Sequence, residues 1–378
     1  MNLVTRLPAP PRSAHRVIFI DLARSIAVIL MVAGHTSSAM LGVSYREGRW
    51  FEAWTFQRGL TSALFLLLAG FAFSIATTRH WSTHLQVSGP VLKRARRFAM
   101  FVVLGYALHL PVRPIYRLVT VSEAQWRSLI AVDVLQLIGI TLIAIQAVVL
   151  LTRSRRVFMG VSAVIALIVI GASPHMWRTD WTAVTTPALA AYLSPATGSL
   201  FPLFPWAAYP FIGAATGQFY VRWGAAHLGV FARWGMMLPG LLLIGIGTSV
   251  LQDVPSDVAL RTGSCFLVMG VIALLSQRIT QLPHVFGAVA QESLVVYFVH
   301  LCIVYGSVWN TGLYRFFGDR MSPLATVGFV VAVVLPMIGL AWCWNRLKHA
   351  SPSAARWVTV GIALVLGGLL VFPAPGGR

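Results

Sequence analysis

About eleven apolar runs, near residues 17–41, 60–78, 96–112, 129–151, 156–173, 200–221, 234–251, 258–275, 286–309, 323–345 and 356–373, follow one another along the chain. The longest connection between them runs only from Ser173 to Ser199, too short to hold a soluble domain. About 20 apolar residues are what a helix needs to cross hydrocarbon, where every backbone group must find its partner inside the segment. The chain therefore reads as all-α, a polytopic transmembrane helical bundle of about 10–11 helices. Residues 1–16 read as a short basic cytoplasmic tail and 17–375 as a single multi-span membrane domain. A 57% hydrophobic composition with 10% charged residues and a mean hydropathy of +0.77 excludes a soluble fold.

The formal net charge of +19 would suggest nucleic acid in a soluble domain. Here the basic residues are scattered over short loops, which fits topogenic signals and contact with membrane lipids, so no nucleic-acid partner is expected. Most of the 29 basic residues fall in segments that are cytoplasmic if the N-terminus is cytoplasmic, and the positive-inside rule favours that orientation. An integral protein of a bacterial inner membrane is the expected setting. Cys265, Cys302 and Cys343 stand singly in apolar runs, so neither a disulfide framework nor a metal site is implied.

Asp21, Arg24 and His35 all lie in the first run. An ionisable side chain at mid-membrane costs roughly 2.5–3.5 kcal/mol on insertion scales, so three in one segment need a reason. On an α-helix Arg24 and His35 return to within roughly 20° of one face and stand about 16 Å apart along the axis. Asp21 and Arg24, at i and i+3, can pair and lower the cost of burying the guanidinium. A histidine is suited to taking a proton near neutral pH, and an arginine to gripping phosphate. The bland alternative is a structural ion pair and a histidine bonded to a neighbouring carbonyl.

These residues sit in RVIFIDLARSIAVILMVAGH, which resembles the opening helix of integral-membrane acyltransferases, the acyltransferase-3 group and the heparan-α-glucosaminide N-acetyltransferase-like proteins. LFLLLAGFAFS, KRARRF, DVLQLIGI, LFPLFPWAAYPFIGAATGQ and ESLVVYFVH agree in order up to about residue 305. The resemblance implies acyl transfer, here of an acetyl group from cytoplasmic acetyl-coenzyme A, to a hydroxyl or amine of an extracytoplasmic glycan. It further implies that His35 is catalytic and that Arg24, supported by Asp21, helps hold the donor.

Other residues bear on the same chemistry. Lys93, Arg94, Arg96 and Arg97 form the densest basic cluster, a topology signal that could also grip coenzyme A phosphates. Ser293, Tyr297 and His300 share one helix face, either hydrogen-bonding across the bundle or, at Tyr297 and His300, lining a donor or acceptor channel. Asp133 and Gln136 could pair with Arg261 or orient a histidine, and His109 could face the acceptor entrance. The prolines at 202, 205 and 210 break the sixth run, as befits a segment lining a cavity, and the Gly213/Gly217 spacing points to close helix packing. The sequence holds no nucleophile elbow, so His35 serves either as base or as transient acyl acceptor. The competing class is a transporter or flippase that uses Asp21, Arg24, Asp133 and Glu292 for coupling.

Overall fold

The computed structural model describes residues 17–372, so the expected basic tail at 1–16 lies outside the described residues. The chain is helical almost throughout, and every apolar run becomes helix. The helices are α1 (Ile18–Met40), α2 (Arg49–Arg79), α3 (Gly89–Leu108), α4 (Glu123–Ile130), α5 (Val134–Thr152) and α6 (Arg155–Arg178). They continue as α7 (Pro187–Leu193), α8 (Leu203–Trp206), α9 (Ala208–Phe219), α10 (Leu228–Val230), α11 (Leu238–Ser249) and α12 (Asp253–Ser276). The last are α13 (His284–Gln291), α14 (Ser293–Val304), α15 (Tyr314–Phe317), α16 (Pro323–Ala350) and α17 (Pro352–Val371). One two-stranded hairpin, β1 (Gly306–Ser307) with β2 (Asn310–Thr311), follows α14.

Eight helices among the described residues are long and apolar enough to cross a membrane: α1, α2, α5, α6, the rod Leu228–Ser249 formed by α10 and α11, α12, α16 and α17. The bent pair α13–α14 makes a ninth. The two remaining apolar runs become α3, which carries four cations in its first half, and α9, whose 12 residues continue into a π-helical turn at Tyr220–Gly224. Leu167, Leu241, Leu335 and Leu364 are 68%, 58%, 61% and 70% exposed, so the outer helices turn apolar side chains outward, as lipid rather than water requires. The protein is an integral membrane protein.

Helix ends follow the local chemistry. Ser122 and Asp133 begin α4 and α5 with reciprocal capping boxes closed by Gln125 and Gln136. Ser322 and Ser351 cap α16 and α17, each followed by a proline at the first helical position, where the missing N–H costs nothing. The centre of the bundle is the α2–α9 contact. Gly70 lies against the Pro210 carbonyl and Gly213 against the Leu67 carbonyl so closely that neither position has room for a Cβ. Phe19 of α1 closes this core edge-on against Phe71 and Tyr220, at 5.9 and 5.5 Å between ring centres.

Three breaks position the site. Phe204, inside α8, leaves helical geometry (φ −100°, ψ 115°) and kinks the segment ahead of α9. The run expected as one helix over 286–309 instead bends by 75° at Glu292. At the bend the Glu292 carboxylate is buried and held against α16 by Lys348 Nζ at 2.9 and 3.0 Å and by Asn345 Nδ2 at 3.0 Å. After α14 the segment 305–321 folds back over the C-terminal end of α1. Asp319 and Met321 N–H groups donate to the Ala39 and Met40 carbonyls at 3.0 and 2.9 Å, and Gly42 N–H returns a 2.9 Å bond to Met321 O.

Candidate active site

α1 and α14 face each other and are joined at both ends of their contact. Near the N-terminal end of α1, Arg24 Nη2 donates to Ser293 Oγ at 3.4 Å, and the charges of Asp21 and Arg97 act on the same guanidinium. Toward the C-terminal end, His35 Nδ1 lies 2.8 Å from His300 Nε2. Arg24 and His35 stand eleven residues apart on α1, whereas Ser293 and His300 stand seven apart on α14.

The two imidazoles have nearly parallel planes, 8° apart, with ring centres separated by 5.1 Å. That separation exceeds the 2.8 Å N···N distance by about two ring radii, so the rings meet edge to edge, with the hydrogen bond along their common plane. His300 is fully buried, and its other ring nitrogen, Nδ1, is 2.8 Å from the Val296 carbonyl. Tyr297 packs edge-on to both rings, at 5.6 Å from His300 and 6.5 Å from His35. Tyr305 donates to the His35 carbonyl at 3.2 Å.

His35 is half-buried and opens into a cavity of about 630 Å³. Its wall includes Arg58 of α2, His109 after α3, Asp133 ahead of α5, Trp206 of α8, Arg261 of α12 and Tyr305. The broken sixth run thus supplies part of the wall through Trp206. Asp133 Oδ2 lies 3.7 Å from His109 Nε2, while His109 Nδ1 faces the Ala131 carbonyl at 3.2 Å. Arg261 pairs through Nε with Asp257 at 2.7 Å, and its buried Nη1 has no hydrogen-bond partner among the described residues. Arg58 lies across Gly34, the residue before His35, and its charge reaches the His35 ring. At Gly59 a Cβ would displace the Arg261 guanidinium, whereas at Gly34 it would make only ordinary contact with the Arg58 side chain.

A second cavity, of about 1060 Å³, opens at the opposite end of α1 and is lined by Asp21, His284, Gln291, Asn345, Arg346 and His349. The two ends of the helix that carries Arg24 and His35 therefore meet separate spaces.

Of the residues singled out from sequence, His35, Tyr297 and His300 converge, and Asp21, Arg24 and Ser293 gather one level below them. Within the basic cluster, Arg94 is turned inward, donating to Thr77 Oγ1 at 2.7 Å and Gln146 Oε1 at 3.4 Å, with its guanidinium over the Phe73 ring. Lys93, Arg96 and Arg97 remain exposed. Asp133 lies beside a histidine, His109, rather than pairing with Arg261, whose Nε is held by Asp257 one turn earlier on α12. Sequence reasoning missed Arg58 and Tyr305 as parts of the cavity wall. No signal in the sequence marks Arg58, whose place in the wall follows only from the meeting of α1, α2 and α12.

A family model described as heparan-alpha-glucosaminide N-acetyltransferase, catalytic, matches residues 16–251. The match takes in Asp21, Arg24, His35, the 93–97 cluster and Asp133, and it ends before α12, so Arg261, Tyr297 and His300 lie beyond it. No curated protein matches the chain.

Proposed function

The chain belongs to the heparan-alpha-glucosaminide N-acetyltransferase catalytic family, and from that membership we propose that it moves an acetyl group from cytoplasmic acetyl-coenzyme A to a hydroxyl or amine of a glycan on the other side of a bacterial inner membrane. The observation that carries this reading is the pairing of a cation and a histidine on one helix with two separate cavities at its ends. Donor and acceptor arrive from opposite sides in such a reaction, and each needs its own entrance. The N-terminus of the chain is cytoplasmic in this reading.

Arg24, with its charge balanced by Asp21, holds donor phosphate, and the exposed Lys93, Arg96 and Arg97 add positive potential at the mouth. Arg94 contributes charge from within the bundle rather than direct contact. The pantetheine arm is long and uncharged, and the roughly 16 Å between Arg24 and His35 along α1 suits a thioester presented to the imidazole with its phosphates held below. In the upper cavity, Arg58 and the unpartnered Nη1 of Arg261 are hydrogen-bond donors available to the acceptor. His35 receives the acceptor's proton, or receives the acyl group first and passes it on.

The experiment uses sealed vesicles containing the purified protein, with radiolabelled acetyl-coenzyme A outside and glucosamine inside. Acetylated glucosamine should accumulate in the lumen of those vesicles whose cytoplasmic face is outward. Uptake of unmodified solute with no dependence on the thioester would instead identify a transporter.

A further inference from the structure

We infer that His300 is a positioning residue that fixes the tautomer of His35, so that His35 presents a lone pair on Nε2 to the cavity. The inference rests on the acyltransfer reading and goes beyond it by assigning the nitrogen that reacts.

Three hydrogen-bonding groups stand in line: the Val296 carbonyl, His300 and His35. A carbonyl oxygen can only accept, so the 2.8 Å contact between His300 Nδ1 and Val296 O places a proton on that Nδ1. His300 is 0% exposed and has no carboxylate on its ring among the described residues, so a second proton would leave an unbalanced charge in the core. The neutral ring then has its lone pair on Nε2. That lone pair is 2.8 Å from His35 Nδ1, in the plane of both rings, so His35 Nδ1 must donate. A neutral His35 with its proton on Nδ1 has its lone pair on Nε2. The backbone of α14 thereby sets the tautomer of a side chain on α1 through one intervening imidazole, the place that a carboxylate fills in other catalytic histidines.

The consequence for transfer is a defined proton path. As the acceptor oxygen or nitrogen bonds to the acetyl carbon, its proton passes to His35 Nε2. When the carbon–sulfur bond breaks, that proton passes to the departing thiolate, so the products are acetylated acceptor and free coenzyme A. Positive charge gathers on His35 only between those events, and the neutral His300 stabilises it by accepting the Nδ1 proton's hydrogen bond. With the opposite tautomer, Nε2 would carry a hydrogen and could neither take the proton nor attack the thioester.

Tyr297 and Val296 belong to the same device. The Tyr297 ring packs edge-on against both imidazoles, which limits rotation of the pair. His300 does not line the cavity that His35 opens into. Its role is therefore distinct from donor or acceptor binding.

The test combines two readouts. Histidine-selective 15N labelling of the whole protein in lipid bilayers, with the His35 signals identified by their loss in His35→Ala, should show His35 protonated on Nδ1 and bare on Nε2. In His300→Leu the His35 signals should change to a mixture of tautomers, and kcat should fall about 100-fold, the scale of a lost general base, with the donor KM within about 2-fold of wild type. His300→Gln, which restores an acceptor at the same reach, should recover activity to within about 10-fold of wild type. A wild-type His35 carrying its proton on Nε2 overturns the inference, and so does a His300→Leu protein with unchanged kcat. Should His300→Leu fail to fold, the wild-type spectrum and His300→Gln still decide. His35-dependent transfer with the wrong tautomer would sink this inference and leave the proposed function standing, whereas the predicted tautomer in a protein with no transfer would do the reverse.

Discussion

Arg24 and His35 announce themselves because each violates the composition of the run that contains it. A guanidinium in an apolar helix needs a partner or a ligand, and among the described residues Ser293 Oγ accepts from Arg24 while the charge of Asp21 acts on it. Arg24→Ala should therefore raise the apparent KM for acetyl-coenzyme A about 10- to 100-fold, the scale of a charged hydrogen bond worth about 1.5–3 kcal/mol, with a smaller change in kcat. Steady-state kinetics with varied donor decide it, and an unchanged KM would remove Arg24 from donor binding. Arg58 was not legible in the same way, because it lies in the wet first half of α2, where an arginine is ordinary. His300 was legible as one member of a polar stripe, but its partner could not be read: the His35 contact spans 265 positions in sequence and depends on how α14 is tilted.

Tilts and close approaches belong to the helices rather than to single residues. The Gly213/Gly217 spacing was readable as close packing, and the α2–α9 contact bears that out. Gly213→Leu should lower the melting temperature of the protein in detergent by more than 5 °C, because overpacking of about 1–3 kcal/mol or more falls on carbonyls that cannot move aside. Gly328→Leu on α16, with nothing near its Cβ position, should leave it unchanged and serves as the control. The α13–α14 bend was not readable, since no proline stands at Glu292 and the groups that hold its carboxylate, Asn345 and Lys348, come from α16. The 305–321 segment is fastened beside His35 by Asp319, whose carboxyl sits below the usual carboxylate range because Tyr314 Oη donates to it at 2.6 Å and the Arg46 guanidinium pairs with it. A carboxyl with a lowered folded pKa contributes its stability above the unfolded value of about 3.9 and loses it as pH falls through the folded one. Deuterium uptake across 305–321, corrected for intrinsic exchange, should thus be flat from pH 8 to pH 5 and should rise in Asp319→Asn at pH 7. Uptake that changes between pH 8 and pH 5 in the wild type would contradict the assignment.

At the scale of the whole molecule, the sequence conveyed the class of fold because hydropathy and helix length are properties of each run alone. Which runs cross and which stop short was less visible: α3 has the length and four cations, α9 has the composition, a kink ahead of it at Phe204 and a π-helical turn after it. The two cavities were not visible at all, since each is lined by elements far apart in the chain. The proposed orientation puts the Asp21 cavity on the cytoplasmic side. Cysteines placed between Arg79 and Gly89 in a cysteine-free background should then be shielded from an impermeant thiol reagent in intact cells and labelled after lysis. Labelling in intact cells would invert the orientation and exchange the two entrances.

In the proposed function His35 carries the transfer of an acetyl group from a thioester to a saccharide. The direct measurement supplies membranes containing wild-type protein or His35→Ala with radiolabelled acetyl-coenzyme A and follows the label into saccharide, lipid and protein fractions, with equal amounts of folded, inserted protein in each. Label should enter a saccharide fraction with the wild type and fall to background with His35→Ala. Equal labelling by both proteins would contradict the account.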